Sequence, residues 1–386
     1  MANNNKHTGP NVPALRFPEF SGEWEQHSLS DYLRFKNGLN PDAKRFGKGI
    51  KFISVMDILN NASISYDCVR ASVAATEQEI SDFEVEYGDV LFQRSSETLE
   101  DIGRSNIYVD SRHCVFGGFV IRGKKIGEYE PYFMKYRLDS PYARKSIIVK
   151  GAGAQHFNIG QDGLSKVELF FPKYEEQVKI GDLMRIIDDR INTQSKIIEE
   201  QETLLKSLAD KMFLQNNFSS QLSELVNIEK GKQLNADSLS ETGDYYVMNG
   251  GITPSGYYSE YNVPAGAISI SEGGNSCGYV QFNEKPFWSG GHCYSLQCRT
   301  NLVDYKYIYY YLKTKEADVM ALRIGSGLPN IQKKDIEKFT ISYPSLQLQK
   351  QFVKALDALS GKIYTEKQLL EKYYQQKSYL LSQMFI

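Results

Sequence analysis

Several short stretches of this chain have residue types and spacings suited to chemistry, and each lacks part of what that chemistry needs. Gly151-Ala152-Gly153-Ala154 opens like a dinucleotide loop, in which glycines let the backbone approach a pyrophosphate, but His156 occupies the place of the third glycine. His113-Cys114 is echoed by His292-Cys293, which offers nitrogen and sulfur donors to a metal. A structural zinc needs four ligands at tight local spacing, and the five cysteines (Cys68, Cys114, Cys277, Cys293, Cys298) contain no C-x-x-C. They read as free thiols, and the His-Cys pairs as a repeated core strand. Asp42 with Asp304-Tyr305-Lys306 would supply nuclease-like carboxylates, but these lie far apart in sequence. Asn40-Pro41-Asp42 lacks the remainder of an amino-methyltransferase tetrad and reads as a turn, and no G-x-x-x-x-G-K-[ST] loop for ATP is present. No catalytic, cofactor-binding or metal-binding residue is assigned to this chain.

The elements that would have to position such residues come in duplicate. Residues 158–213 and 330–385 align without a gap at a constant offset of 172. Identities fall at Asn158/Asn330, Ile159/Ile331, Lys166/Lys338, Pro172/Pro344, Gln177/Gln349, Ile191/Ile363, Thr193/Thr365, Glu199/Glu371, Leu208/Leu380, Met212/Met384 and Phe213/Phe385. Upstream, Gly38 answers Gly231, Val55-Met56 answers Val247-Met248, Gly88 answers Gly266 and Leu138 answers Leu312. A repeat this long is a whole module, far longer than a solenoid unit. The chain is a tandem duplication, and Asp42 and Asp304 fall in different copies.

At 386 residues, 41% hydrophobic and 24% charged, the chain has room for two ordinary globular cores. No apolar run approaches the roughly 20 residues that span a bilayer, and the opening MANNNKHTGP has no signal-peptide core, so a cytoplasmic location is expected. Net charge is only -2, but it is segregated. Arg34, Lys36, Lys44, Arg45, Lys48 and Lys51 face the single acid Asp42, and Arg122, Lys124, Lys125, Arg144 and Lys145 lie in a second basic stretch. Such polarity suits a phosphate-facing surface, or equally two ordinary solvated faces.

Pattern reading gives a lead over 1–16, then modules of short strands and turns, with strands expected at Lys51 to Ile58 and Asp89 to Phe92. Aromatic, helix-like patches follow at Tyr132 to Leu138 and Tyr305 to Leu312, and their stripe (Tyr307, Tyr310, Tyr311, Leu312) reads as core. After Pro172 and Pro344 each copy runs about 40 residues without proline and with one glycine, which predicts a long helix. Heptads place Ile180, Met184, Ile187, Ile191, Ile198, Leu205, Leu208 and Met212 on the first seam. Phe352, Leu356, Leu359, Ile363, Leu370, Leu380 and Met384 form the second. Gln194, Gln201, Glu366 and Lys377 interrupt the seam, fixing register or opening a face to another protein. A stripe about 60 Å long cannot be buried by one small module, so the helices are expected to pack on each other as an antiparallel coiled coil. The fold class is α+β: two mixed α/β domains (17–172 and 218–344), each followed by a long helix (173–217 and 345–386).

This organisation resembles the specificity subunits of type I restriction-modification enzymes. Trp24 with Leu29-Ser30-Asp31 and Gly38 resembles the opening of a target recognition domain, and Gly88-Asp89-Val90-Leu91-Phe92 looks like the family's Gly-Asp-Ile-Leu strand. Gly325-Ser326-Gly327-Leu328-Pro329-Asn330-Ile331, followed by Pro344 and Gln349, looks like the entry to its helical region. Two places depart from the pattern: Gln155-His156-Phe157 replaces Leu-Pro, and Gly266-Ala267 replaces Gly-Asp. The resemblance covers residue 17 to the end. It implies that each globular domain reads one half of a split, asymmetric duplex-DNA target, with the helices as spacers. Two readers on one groove face would sit about one helical turn, roughly 34 to 36 Å, apart. It implies also that methylation and restriction subunits are partners, carrying S-adenosylmethionine, ATP and magnesium, in a complex that serves phage defence. Direct readout needs polar side chains on loops. The DNA-binding candidates, after the matched strands, are Gln93, Arg94, Ser95, Ser96 and Arg104 in the first copy and Ser271, Asn275 and Ser276 in the second.

A bivalent coiled-coil adaptor between two proteins is the alternative, and a self-sufficient nuclease or methyltransferase a further one. Steep weakening of DNA binding with salt separates the specificity subunit from the adaptor. Activity of the chain alone with S-adenosylmethionine or a divalent metal would mark the enzyme.

Overall fold

A computed structural model of the chain describes residues 11–153, 156–214, 217–325, 327 and 329–386. Ala154, Gln155, Ser326 and Leu328 of the motifs above, positions 215 and 216 of the first spacer, and the first ten residues of the expected lead lie outside the described residues. The chain divides into two compact units, residues 1–195 with 369–386 and residues 196–368.

In the first unit β1 (Glu25–Ser28), β2 (Leu33–Asn37) and β3 (Phe46–Ile53) precede α1 (Val55–Asn60). β4 (Val90–Gln93), β5 (Ser105–Ile107), β6 (Cys114–Phe116) and β7 (Val120–Lys125) follow. Then come α2 (Pro131–Asp139), α3 (Pro141–Ile148), β8 (Glu168–Phe171) and the start of α4 (Tyr174–Met212). An antiparallel sheet runs β2-β7-β4-β5, β1 pairs with β8, and β3 lies parallel to β6. The strand expected over Lys51 to Ile58 ends at Ile53. Ser54 starts a helix there, because its backbone N–H donates to the Asp57 carboxylate (2.7 Å) in a capping box.

The second unit repeats this plan. β9 (Phe218–Gln221), β10 (Val226–Lys230), β11 (Tyr245–Met248), β12 (Ala267–Ser271), β13 (Val280–Asn283), β14 (Phe287–Ser289) and β15 (Cys293–Cys298) lead to α5 (Tyr305–Thr314), β16 (Thr340–Tyr343) and α6 (Leu346–Gln383). The antiparallel sheet is β10-β15-β12-β13, β9 pairs with β16, and β11 lies parallel to β14. Topology corrects two sequence matches. Val247 and Met248 face Trp288 and Ser289 across the parallel pair, as Phe52 and Ile53 face Val115 and Phe116, so Phe52-Ile53 and not Val55-Met56 is their counterpart. Cys114 opens β6 whereas Cys293 opens β15, the counterpart of β7, so the two His-Cys pairs begin different strands. The glycine matches have a backbone reason. Gly88 and Gly266 enter β4 and β12 at φ of 91° and 77°, where an L side chain is strained.

Each unit contains half of each long helix. In the first, Ile180, Met184, Ile187 and Ile191 of α4 share a core with Leu380 of α6 and with Met384 and Phe385 just beyond its end, joined by Trp24 and Phe133. The Asp188 carboxylate meets Lys377 Nζ at 2.6 Å. Near the beginning of α4, Glu176 holds Arg16, and the Leu15 N–H donates to Gln383 O (2.9 Å), so the two helices run antiparallel in this unit. In the second unit Ala209 and Phe213 share a core with Phe352, Val353 and Leu356, and Lys367 pairs with Glu202 (2.6 Å), again antiparallel. Of the seam residues, Ile198 and Ile363 are also buried, and Leu205, Leu208, Met212, Leu359 and Leu370 are half-buried. Residues 11–16, expected in a disordered lead, are instead tied down. The Trp24 N–H donates to Asn11 O (2.9 Å), and Arg16 makes a bidentate pair with Glu176 at 2.8 and 2.7 Å. The physical reason is a buried carboxylate that needs a partner.

α2 and α5 are held by the same device. Gln177 accepts from the N–H of Glu130, the residue capping α2, and donates to Pro172 O (3.2 and 3.0 Å). Gln349 accepts from the N–H of Asp304, which caps α5, and donates to Pro344 O (2.8 Å each). The aromatic stripe of α5 is core, with Tyr307, Tyr310, Tyr311 and Leu312 all buried.

Candidate nucleic-acid interface

The two copies match most closely around a tight connection. In the first, Gly117-Gly118-Phe119 joins β6 to β7; in the second, Gly290-Gly291-His292 joins β14 to β15. The chain after β2 and β10 passes so close that a Cβ on Gly38 would lie 2.1 Å from Gly117 O, and one on Gly231 2.2 Å from Gly290 O. Glycine is required at both places for this contact.

The residue after the central strand then grips the connection. Arg94 N–H donates to Phe119 O and Glu272 N–H to His292 O, each at 2.9 Å. Arg94 O and Glu272 O accept from Ile159 N–H (3.0 Å) and Ile331 N–H (2.8 Å). The repeated Asn-Ile pairs thus have a shared function: they pin the strand end that supports the tip. Arg94 and Glu272 are therefore equivalent positions carrying opposite charge.

Among the DNA-binding candidates, Gln93 and Ser271 end β4 and β12 with their side chains buried. The Gln93 amide donates to Ser95 O (2.8 Å), and the Ser271 hydroxyl to Gly250 O (2.6 Å). These two groups are turned to the fold and not to solvent. Arg94 is half-buried, and its Nη1 donates to Gly118 O (3.3 Å), beside the tip. Ser95 donates to Asn158 Oδ1 (2.5 Å), and Ser96 Oγ accepts from the Thr98 N–H (3.2 Å). Arg104 is exposed and pairs with Asp101 (2.7 Å). Asn275 is exposed and Ser276 half-buried on the loop after β12. Sequence reading did not single out Asn40 and Gln233, whose amides stand beside the two tips. Both are exposed amides two residues beyond the matched glycines, and a Cβ on Gly118 or Gly291 would lie 1.8 or 2.3 Å from their side-chain oxygens. That spacing, the same in each copy, was the available signal.

Electrostatics differ between the copies. Glu272 is buried but held by Lys230 Nζ (2.6 Å), the Tyr294 hydroxyl (2.9 Å) and His292 Nδ1 (3.6 Å). The cysteines of the His-Cys pairs are unsuited to metal or nucleophilic work. Burial pushes each thiol up to about 11, which keeps it protonated, and His113 is engaged with Glu84 (2.9 Å). Among the described residues no group of three His, Cys, Asp or Glu side chains could hold a metal ion. Asp304 serves as a helix cap, accepting from the Lys306 and Tyr307 N–H groups. No helix among the described residues is long and apolar enough to cross a membrane.

Two copies of one scaffold, each with a glycine-built tip and unlike residues around it, define a protein of two duplicated domains. The family model for the type I restriction modification DNA specificity domain matches twice, over residues 21–202 and 216–372, and the chain belongs to this family. A putative type I specificity subunit of Mycoplasma pneumoniae is 34% identical over 152 residues, 39% of this chain and 40% of that protein. One of Mycoplasma genitalium is 31% identical over 146 residues, 36% of this chain and 37% of that protein. These alignments span about two fifths of either relative. The putative type I restriction enzyme MjaX specificity subunit of Methanocaldococcus jannaschii is 24% identical over 406 residues, covering 94% of this chain and 93% of that protein. The crystal structure of a type I restriction-modification S subunit from M. genitalium superposes with a TM-score of 0.67 at 19% identity, covering 97% of this chain and 99% of that one. At that identity the likeness is one of fold.

Proposed function

We propose that this chain is the DNA sequence-specificity subunit of a type I restriction-modification complex. Each copy would read one half of a split duplex target. The observation that carries the reading is the doubled specificity domain, built on one scaffold but with unlike residues at equivalent places, Arg94 against Glu272 and Phe119 against His292. Unlike readers on like scaffolds give an asymmetric target. The chain itself is non-catalytic in this reading and works in the cytoplasm. Methyl transfer and cleavage, with S-adenosylmethionine, ATP and magnesium, fall to methylation and restriction subunits.

The long helices are the spacer and the recruiting surface. Exposed apolar residues off the seams, Ile186, Leu204, Tyr364 and Tyr379 among them, support a role in binding those subunits. Of the DNA-binding candidates, all but Gln93 and Ser271 keep a half-buried or exposed side chain for contact with DNA, and Arg104 and Asn275 are the exposed ones. Mapping N6-methyladenine across the host genome, with this gene intact and deleted, tests the reading. A split asymmetric motif that vanishes on deletion is the expected result. An unchanged methylation pattern, together with failure to co-purify a methyltransferase subunit, would turn the reading toward the coiled-coil adaptor.

A further inference from the structure

The matched tips carry side chains that stand largely in solvent. Phe119 is 70% exposed on a connection whose backbone is already held by Arg94, and the His292 side chain is 62% exposed on its counterpart. Exposing a phenyl ring to water at this place is unfavourable for the fold taken alone. Beside each tip stands an exposed amide, Asn40 or Gln233, which fits only because the neighbouring residue is Gly118 or Gly291. The same four-part arrangement, a close-approach glycine, an amide two residues on, a tip glycine and an exposed ring, occurs twice in one chain with different side chains.

We infer that these tips hold specificity-determining residues: Asn40 and Phe119 contact one base pair of the first half-target, and Gln233 and His292 one base pair of the second. The inference rests on the specificity-subunit reading above. Asn and Gln pair bidentately with adenine N6 and N7 in the major groove, and an apolar side chain packs on the thymine methyl. A single A·T pair therefore satisfies Asn40 and Phe119 together. An imidazole presents polar ring nitrogens and no apolar wedge, so the pair facing His292 is read on different terms. Duplex DNA is the occupant that the charges favour. The exposed Lys232 directly precedes Gln233, and the exposed Lys44 and Lys48 follow Asn40 closely in the chain, which places a cation for phosphate near each reading amide. Arg94, donating to Gly118 O, is a positioning residue for the first tip.

The test uses the full chain purified with its methylation subunits, and measures methylation on an oligonucleotide set with every base pair of the wild-type motif varied singly. Asn40→Ala and Phe119→Ala are each expected to reduce discrimination at one A·T position of one half-target by roughly tenfold to a hundredfold, leaving the other half unchanged. Gln233→Ala and His292→Ala should do the same in the opposite half. Asn40→Asp, which keeps the size but removes the donors, guards against a loss caused by altered folding and should shift preference in the same half. If the wild-type complex shows a split motif and all five variants retain its full discrimination, or any one relaxes both halves alike, the inference is overturned while the subunit reading stands. A wild-type complex with no sequence preference would overturn both.

Discussion

Gln177 and Gln349, 172 positions apart, make the same pair of hydrogen bonds, each tying a proline carbonyl to the residue that caps a buried helix. Both amides are almost fully buried. Replacing either by Ala removes the partner of a half-buried N–H and of a buried C=O. A loss of about 1–3 kcal/mol is expected for each, measured by urea unfolding. A change below about 0.5 kcal/mol in both would show that the repeated glutamine is incidental.

Asp188 joins α2, α4 and α6 within the first unit, meeting Lys377 (2.6 Å), the Tyr136 hydroxyl (2.7 Å) and Lys135 (3.4 Å). Burial works to raise its pKa, but the two ammonium groups outweigh burial and hold it below the usual carboxylate range. A lowered folded value means that this group's stabilisation is present above its unfolded value near about 4 and is lost as pH falls through the folded one. Asp188→Asn is expected to flatten that acid-side loss. Equal acid sensitivity of wild type and variant, followed by circular dichroism from pH 6 to 2, would contradict it.

The single glycines of the two long helices predict opposite outcomes. Around Gly361 nothing lies within 4 Å of an added Cβ, so Gly361→Ala should stabilise by about 0.5–1 kcal/mol through helix propensity. At Gly181 the added Cβ would lie 2.3 Å from Glu130 Oε2 and 2.9 Å from the Phe133 nitrogen. Gly181→Ala should therefore lower the thermal midpoint while Gly361→Ala raises it. Shifts of the same sign would show that the approach of α4 to α2 is looser than described.

Arg16 and Glu176 form a bidentate pair with side chains only 4% and 2% exposed. Arg16→Ala strands a buried carboxylate and should cost about 3–5 kcal/mol. Arg16→Ala with Glu176→Gln should recover much of it. A double variant no more stable than the single one would locate the effect in lost packing.

The long helices were legible because their cues are local: Pro172 and Pro344 precede the starts, and apolar residues recur along each seam. Lys377, an apparent flaw in that seam, acquires meaning only with Asp188 across from it. The strand end at Ile53 was also written locally, in Ser54 and Asp57, but the apolar run to Ile58 masked it. Matches that relied on letters alone, Val55-Met56 and the His-Cys pairs, failed where the loops of the two copies differ in length. Gln93 and Ser271 were chosen as loop residues because the apolar pattern stops before them, yet strand pairing carries on through them to Val120 and Cys293. The tip was out of reach of pattern reading, since it is created by segments far apart in sequence: Gly38 against Gly117, and Gly231 against Gly290.

Leu380, Met384 and Phe385 complete the core around Trp24 and Phe133. During translation, that first core stays open until almost the last of these residues has left the ribosome, although its own strands were made more than two hundred codons earlier. A nonsense or frameshift lesion just ahead of Leu380 therefore damages a core whose other residues were made long before it, and quality control in the cell has a long interval in which to find it.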